Sequence, residues 1–358
     1  MKTLHAAAIS TGPDTHLDHL APICALMNIP LIVVNERHAL LAKEFYPGVE
    51  VECMQPLELS LDFLASRLDV IYECGKFWAL DLLPLLQLLY QKKLRVVFCP
   101  HGNSDKERSV DYKEKAFFQD ISLIYGNQMR ETIQSNQSIH QIHQLIEIGN
   151  VRLSFYLHHK KFFDEIAEKK VFSRLDRQKK TILYSPTWHT SASPSSFFDN
   201  CHQIVDQLST AYNLIVKLHP LLEEMHPAKT FHVLENFKEK QSNVLFLNEF
   251  PAIYPLLEKI DLYIGDFSSI GYDFLFYDRP MIFLKPENQR LSHLQRCGYC
   301  IDYPGKIELV DIALTAIESG QKTLSGIRRR CYLDAFGELV VFEKLAKLIK
   351  KKLHESLS

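Results

Sequence analysis

The chain predicts an α/β fold of two doubly wound domains, and three observations carry that expectation. Its 358 residues are too many for one ordinary core and suit two domains of middling size. Short apolar runs alternate with helix-period segments along almost the whole length. The runs are continuous rather than alternating, as strands are when helices cover both faces of a parallel sheet.

The first series places strands at Ala6–Ser10, Pro30–Asn35, Val49–Cys53, Val70–Glu73, Arg95–Cys99, Leu123–Tyr125 and Ile146–Ile148. Helical spacing falls between the early ones, at His16–Met27, Ala39–Phe45, Leu59–Leu68 and Leu80–Gln91. A charged helix and linker, His158 to Lys180, separates this series from a second. The second has strands at Thr181–Tyr184, Leu214–Lys217, Val244–Phe246, Leu262–Ile264 and Met281–Phe283, with helices at Cys201–Ala211 and Ala252–Lys259. The division expected is residues 1–160 and 161–337 as two Rossmann-like domains, facing a cleft where strand ends meet ligand. Residues 338–358 form a terminal amphipathic helix, with Leu339, Phe342, Leu345, Ile349 and Leu353 at three- and four-residue spacing. That stripe either packs back on the N-terminal domain or lies on a membrane surface beside its lysines.

Composition narrows the class. Hydrophobic residues make up 46% and charged residues 23%, the balance of a folded globular protein. A net charge of −2 argues against nucleic acid as the main partner. Eight scattered cysteines read as reduced thiols of a cytoplasmic protein, and Cys297-x-x-Cys300 lacks a second pair to complete a zinc site. The Met1–Ser10 segment is too short for a signal peptide and reads as the first strand. No apolar run reaches the roughly 18 residues that span a bilayer. A P-loop, a Gly-x-Gly-x-x-Gly and a Gly-x-Ser-x-Gly are all absent, which disfavours kinases, ATPases, standard NAD enzymes and α/β hydrolases.

Four motifs fall where strands end. The most informative is Gly265-Asp266-Phe267-Ser268-Ser269-Ile270-Gly271-Tyr272-Asp273. A strand that breaks at Ser268-Ser269 before a helix offers hydroxyls and free N–H groups to a phosphate or diphosphate, with Asp266 beside it. Either serine can equally be a plain N-cap. Gly271 lets a ligand or neighbouring backbone come close, and Asp273 holds the loop or a hydroxyl. Pro100-His101-Gly102 presents an imidazole that can accept a proton near neutral pH. Ser185-Pro186-Thr187-Trp188-His189 directs hydroxyls off a strand tip, or packs Trp188 at an ordinary loop exit. Lys217-Leu218-His219-Pro220 fixes His219 at a strand end, where it can donate to developing negative charge or serve as a buried turn residue. The run Asp14-Thr15-His16-Leu17-Asp18-His19 has the residue types of a metal cluster but no fourth ligand and no His-Glu-x-x-His, so no metal is expected.

In order and spacing these motifs resemble the CDP-glycerol glycerophosphotransferase family, the teichoic-acid polymerases and primases. His101-Gly102 matches the family's His-Gly, Ser185-Pro186-Thr187-Trp188 its Ala-Pro-Thr-Trp, and His219-Pro220 its His-Pro. Asp266, Ser268, Ser269, Asp273 and Arg279-Pro280 match its Asp-Tyr-Ser-Ser…Asp and Arg-Pro. The match covers roughly residues 95 to 300. This chain has His189 in place of an Arg, Phe267 in place of a Tyr, and Pro100 and Asn103-Ser104 around the His-Gly.

The resemblance implies a glycosyltransferase B-like fold of two Rossmann-like domains. It implies transfer of a glycerol phosphate or other polyol phosphate from a CDP-polyol donor to a hydroxyl acceptor, usually lipid-linked, with release of CMP and no cofactor. His101 and His219 would be catalytic. Ser268, Ser269, Asp266, Thr187, Ser185 and His189 would bind nucleotide or diphosphate, and Gly102, Asp273 and Gly271 would support them. The work would lie in cell-envelope synthesis at the cytoplasmic face of the membrane. Two alternatives stay open: a nucleotide-sugar glycosyltransferase or UDP-sugar epimerase of the same fold, and a non-catalytic nucleotide-binding member.

Overall fold

A computed structural model of the chain describes residues 5–74, 78–105, 121–134, 144–188, 195–235, 237, 243–303 and 308–357. The chain separates into two compact units. The first comprises Met1–His101, Arg108–His159 and Asp334–Ser358, and the second comprises Gly102–Glu107 and Lys160–Leu333.

The first unit is built on a seven-stranded sheet of β1 (Ala6–Ser10), β2 (Leu31–Val33), β3 (Val51–Cys53), β4 (Val70–Glu73), β5 (Arg95–Phe98), β6 (Ile121–Ile124) and β7 (Gln144–Glu147). The order is β3-β2-β1-β4-β5-β6-β7, every pair parallel. The direction of winding therefore reverses between β1 and β4, and the crevice outside their carboxyl ends is where ligands bind in such sheets. Ala7, Ile9, Ile32, Ile71 and Val96 project into one core with Leu64, Leu68 and Leu86 from the covering helices.

The second unit repeats the plan with β8 (Thr181–Ser185), β9 (Asn213–Val216), β10 (Val244–Phe246), β11 (Leu262–Gly265), β12 (Met281–Pro286) and β13 (Tyr299–Tyr303). The order β10-β9-β8-β11-β12-β13 is again all parallel, with its reversal between β8 and β11. The α/β expectation of two Rossmann-like sheets therefore holds. Its core joins Ile182, Leu214, Val216, Ile264 and Ile282 to Phe197, Ile204 and Leu208 of the Phe197–Leu208 helix. β13 is a half-exposed edge strand outside the strands expected from the sequence.

The terminal helix runs Phe342–Leu357. Phe342, Leu345, Ile349 and Leu353 are buried, and it packs in the first unit on the Leu17–Met27 and Val151–His158 helices. Phe342 meets Phe155 edge-on with ring centroids 5.5 Å apart. Burying each of those side chains is worth about 1.5–3 kcal/mol. Four of the five stripe residues are thus consumed inside the unit, as the packing alternative expects, while Leu339 stays exposed. Among the described residues no helix is long and apolar enough to cross a membrane.

Candidate active site

In the second unit the loops leaving β8 and β11 are held together by one carboxylate. Asp266 is fully buried. Its Oδ1 accepts from the backbone N–H groups of Thr187 and Phe267, both at 2.7 Å. Its Oδ2 accepts from the N–H and the hydroxyl of Ser196, both at 3.0 Å. Burial pushes the carboxyl upward, and the four donors oppose that. Asp266 was expected to meet the ligand. Its lone pairs are occupied, so it organises the Thr187 and Ser196 segments around the β11 loop instead.

Ser268 and Ser269 follow. Ser268 is buried and its Oγ accepts from the Ile270 N–H at 3.4 Å, whereas Ser269 is partly exposed. Ser269 is the N-cap of the short Ile270–Phe274 helix, in helical conformation with no side-chain capping bond. Ser269 thus holds the N-cap position without the side-chain bond by which a serine usually caps. Gly271 serves packing: a Cβ there would meet Leu294 Cδ2 at 2.8 Å. Asp273 is buried and accepts from Tyr254 Oη at 2.9 Å. Arg279 donates to the carbonyls of Glu258 and Ile260, both at 2.7 Å, and so caps the turns after the Tyr254–Leu257 helix.

His219 precedes the Pro220–Met225 helix as its N-cap. Its Nδ1 accepts from the Leu221 N–H at 3.2 Å. A neutral imidazole with Nδ1 accepting carries its proton on Nε2, so the ring presents a donor. Trp188 lies nearby, ring centroids 6.4 Å apart. Lys217 is buried and donates to the Phe250 carbonyl at 2.8 Å. Ser185 is buried too, its hydroxyl directed at the Lys217 carbonyl at 3.4 Å rather than off the strand tip. Thr187 is buried and enters the site through its backbone N–H. His189 lies outside the described residues.

Gly102 also belongs to the second unit. Its φ is +126°, and a Cβ would come within 2.7 Å of Ser269 Cβ. Three residues on, Asp105 accepts from Tyr272 Oη, and from the Leu294 N–H at 2.8 Å. The Gly102–Asp105 segment is thereby tied to the Ser-Ser loop. Gly102→Ala forces both a left-handed backbone and a clash, so about 1–3 kcal/mol of stability should be lost. Urea unfolding checks this; a wild-type midpoint would contradict the assigned role.

In the first unit, His101 follows β5 and is partly buried. Burial pulls its pKa down to about 4, so the ring is neutral at physiological pH. The preceding residue is held by a relay that sequence reasoning missed. Tyr125 Oη donates to the Pro100 carbonyl at 2.8 Å and meets His19 Nδ1 at 2.7 Å. The carbonyl can only accept and the phenol has one proton, so His19 Nδ1 donates. His19 is itself held well below its ordinary pKa, by burial first and then by Arg152. Arg152 pairs with Asp18 at 3.2 Å, and Tyr46 Oη donates to the same carboxylate at 3.2 Å.

The two depressed histidines give stability a sign with pH. As pH falls below about 6.5 the unfolded chain protonates while the fold resists it until about 4 for His101. Their contribution is therefore intact above 6.5 and lost on acidification. Denaturant midpoints between pH 7 and 5 check it, and the fall should flatten in a His19→Gln variant.

The family of CDP-glycerol:poly(glycerophosphate) glycerophosphotransferases matches residues 101–308, more than half of the chain. A teichoic acid poly(glycerol phosphate) polymerase of Bacillus subtilis (strain 168) is 32% identical over 165 residues, 44% of this chain and 21% of the polymerase. A teichoic acid glycerol-phosphate primase of Bacillus spizizenii is 32% identical over 112 residues, 31% of this chain and 26% of the primase. The matched regions thus cover well under half of these relatives. Among solved structures, a wall teichoic acid polymerase, TagF, superposes with TM-score 0.65 at 14% identity over 99% of this chain and 90% of that one. A UDP-GlcNAc 2-epimerase from Neisseria meningitidis gives 0.57 at 11% identity over 98% and 99%. At such identities the superpositions speak for the fold. The sequence match runs from His101 through the loops around Asp266, Ser268 and Ser269, and on it this chain belongs to the CDP-glycerol:poly(glycerophosphate) glycerophosphotransferase family.

Proposed function

We propose that the protein transfers glycerol phosphate, or another polyol phosphate, from a CDP-polyol to a hydroxyl acceptor and releases CMP. One observation carries the reading: the Ser268-Ser269 loop sits at the winding reversal of the second sheet, its backbone fixed by Asp266, in a chain of this family. A TagF structure is described as soaked with CDPG, which adds support by likeness.

In this account the hydroxyls of Ser268 and Ser269 hold the diphosphate, and His219 Nε2–H donates to the phosphate that leaves with cytidine. His101 accepts the proton of the acceptor hydroxyl. The oxygen attacks the polyol-bearing phosphorus, a new P–O bond forms, and the P–O bond to CMP breaks. The proton then passes from His101 to solvent. Phosphoryl-type transfer is governed mainly by position and electrostatics, the contribution that a preorganised loop supplies. The acceptor proposed is a terminal hydroxyl on a growing, lipid-linked polyol-phosphate chain.

Thermal shift and CMP release, run side by side with CDP-glycerol, CDP-ribitol and UDP-N-acetylglucosamine, test it. A CDP-polyol should stabilise the protein and yield CMP with acceptor. Stabilisation by the UDP-sugar alone would move the protein to the nucleotide-sugar enzymes, and tight CDP-polyol binding without CMP release would make it a binding protein.

A further inference from the structure

We propose that His16, Cys74 and His101 form a binding site for a borderline divalent transition ion, zinc above all, at the carboxyl edge of the first sheet, and that an ion there inhibits the enzyme. The first half rests on geometry alone. The second rests on the reading of His101 as the proton acceptor.

One ligand atom from each of the three side chains lies within 4.8 Å of the other two. Zinc bonds of about 2.0–2.3 Å in a tetrahedron set ligands roughly 3.3–3.8 Å apart, so each side chain needs to close in by about 1 Å or less. Topology supplies the convergence. His16 ends the turn after β1, Cys74 follows β4, and His101 lies just beyond β5, three adjacent strands at the point where winding reverses. His16 is held by its N–H to the Pro13 carbonyl at 2.9 Å. Its ring lies over Gly12, where a Cβ would fall 2.2 Å from Nδ1, so a larger residue at 12 would displace it. The His16 and His101 rings stand 5.3 Å apart, tilted by 40°.

Two imidazoles and a thiol are the donor set of zinc, and three protein ligands leave a fourth position for water or an anion. Cys74 is buried, whereas His101 is partly exposed and opens a way in. Around Cys74 the buried Glu73 favours a cation and Arg152 opposes it, and His19 lies close enough to both His16 and His101 to interact with them electrostatically. Binding must expel the Cys74 thiol proton and should strengthen as pH rises. An ion taking a nitrogen lone pair of His101 would leave that ring less able to accept a proton.

Cobalt(II) titration of the full chain tests the site. The wild type should take up one ion per chain, with tetrahedral d–d bands and a thiolate-to-cobalt charge-transfer band. Cys74→Ser, which spares the proposed chemistry, should lose the charge-transfer band and at least about 10-fold in affinity. Its CMP release without added metal should match wild type and resist zinc at concentrations that inhibit wild type. His16→Gln provides a second loss of the tetrahedral spectrum should Cys74→Ser fold poorly. No charge-transfer band in the wild type, or one that survives Cys74→Ser, would overturn the site. A band that Cys74→Ser abolishes, with turnover indifferent to zinc, would keep the site and refute the proton-accepting role of His101.

Discussion

His101→Ala should lower kcat by about 10²–10⁴, the usual worth of a positioned general base. That corresponds to about 2.7–5.4 kcal/mol of barrier. Donor affinity should change little, because the diphosphate contacts are assigned to Ser268, Ser269 and His219. The pH profile separates this role from a structural one. Burial sets the free ring at about 4, so kcat/KM should be flat through neutral pH and fall only as pH approaches 4. A bound donor adds negative charge that favours the imidazolium, so the acid limb of kcat should lie at higher pH than that of kcat/KM. A His101→Ala enzyme that keeps most of its turnover would remove the base from the mechanism.

Asp266→Ala should be the most damaging single change to the second unit. It strands three buried N–H groups and one hydroxyl that now share a carboxylate. At about 1–3 kcal/mol for each lost acceptor, only partly relieved by relaxation and water, the loss should be on the order of 3–5 kcal/mol. Most single domains have only about 5–15 kcal/mol in all. Asp266→Asn should lie between, since an amide oxygen can still accept from Thr187 and Phe267 while its NH2 would confront the Ser196 N–H. Urea midpoints order the three proteins, and CDP-glycerol binding should weaken in the same order. Equal stability of wild type and alanine variant would show that the four bonds carry no net weight.

The sequence made the architecture legible because both sheets are parallel and buried on both faces. Continuous runs such as Ala6–Ser10, Val70–Glu73 and Val244–Phe246 coincide with the strands observed. Legibility fails at the edges. β13 is exposed or half-buried at all but its last residue and its apolar run stops at Ile301, and β7 begins at Gln144, two residues before the expected start at Ile146. The motif residues stood out because loops at strand ends are short and polar. Their roles did not, because those are set by partners distant in sequence. Ser196 reaches Asp266 across 70 residues, and His19 reaches Tyr125 across 106. Arg279 entered only as half of an Arg-Pro match, and its bonds to the carbonyls of Glu258 and Ile260 are contacts that composition and spacing do not encode.

The most direct test of the central claim is a crystal structure of the His101→Ala protein soaked with CDP-glycerol. The account predicts the diphosphate within hydrogen-bond distance of Ser269 Oγ and His219 Nε2, with the cytidine-linked phosphate nearer His219. A nucleotide seated away from the loop after β11, or a His219 ring directed elsewhere, would contradict it.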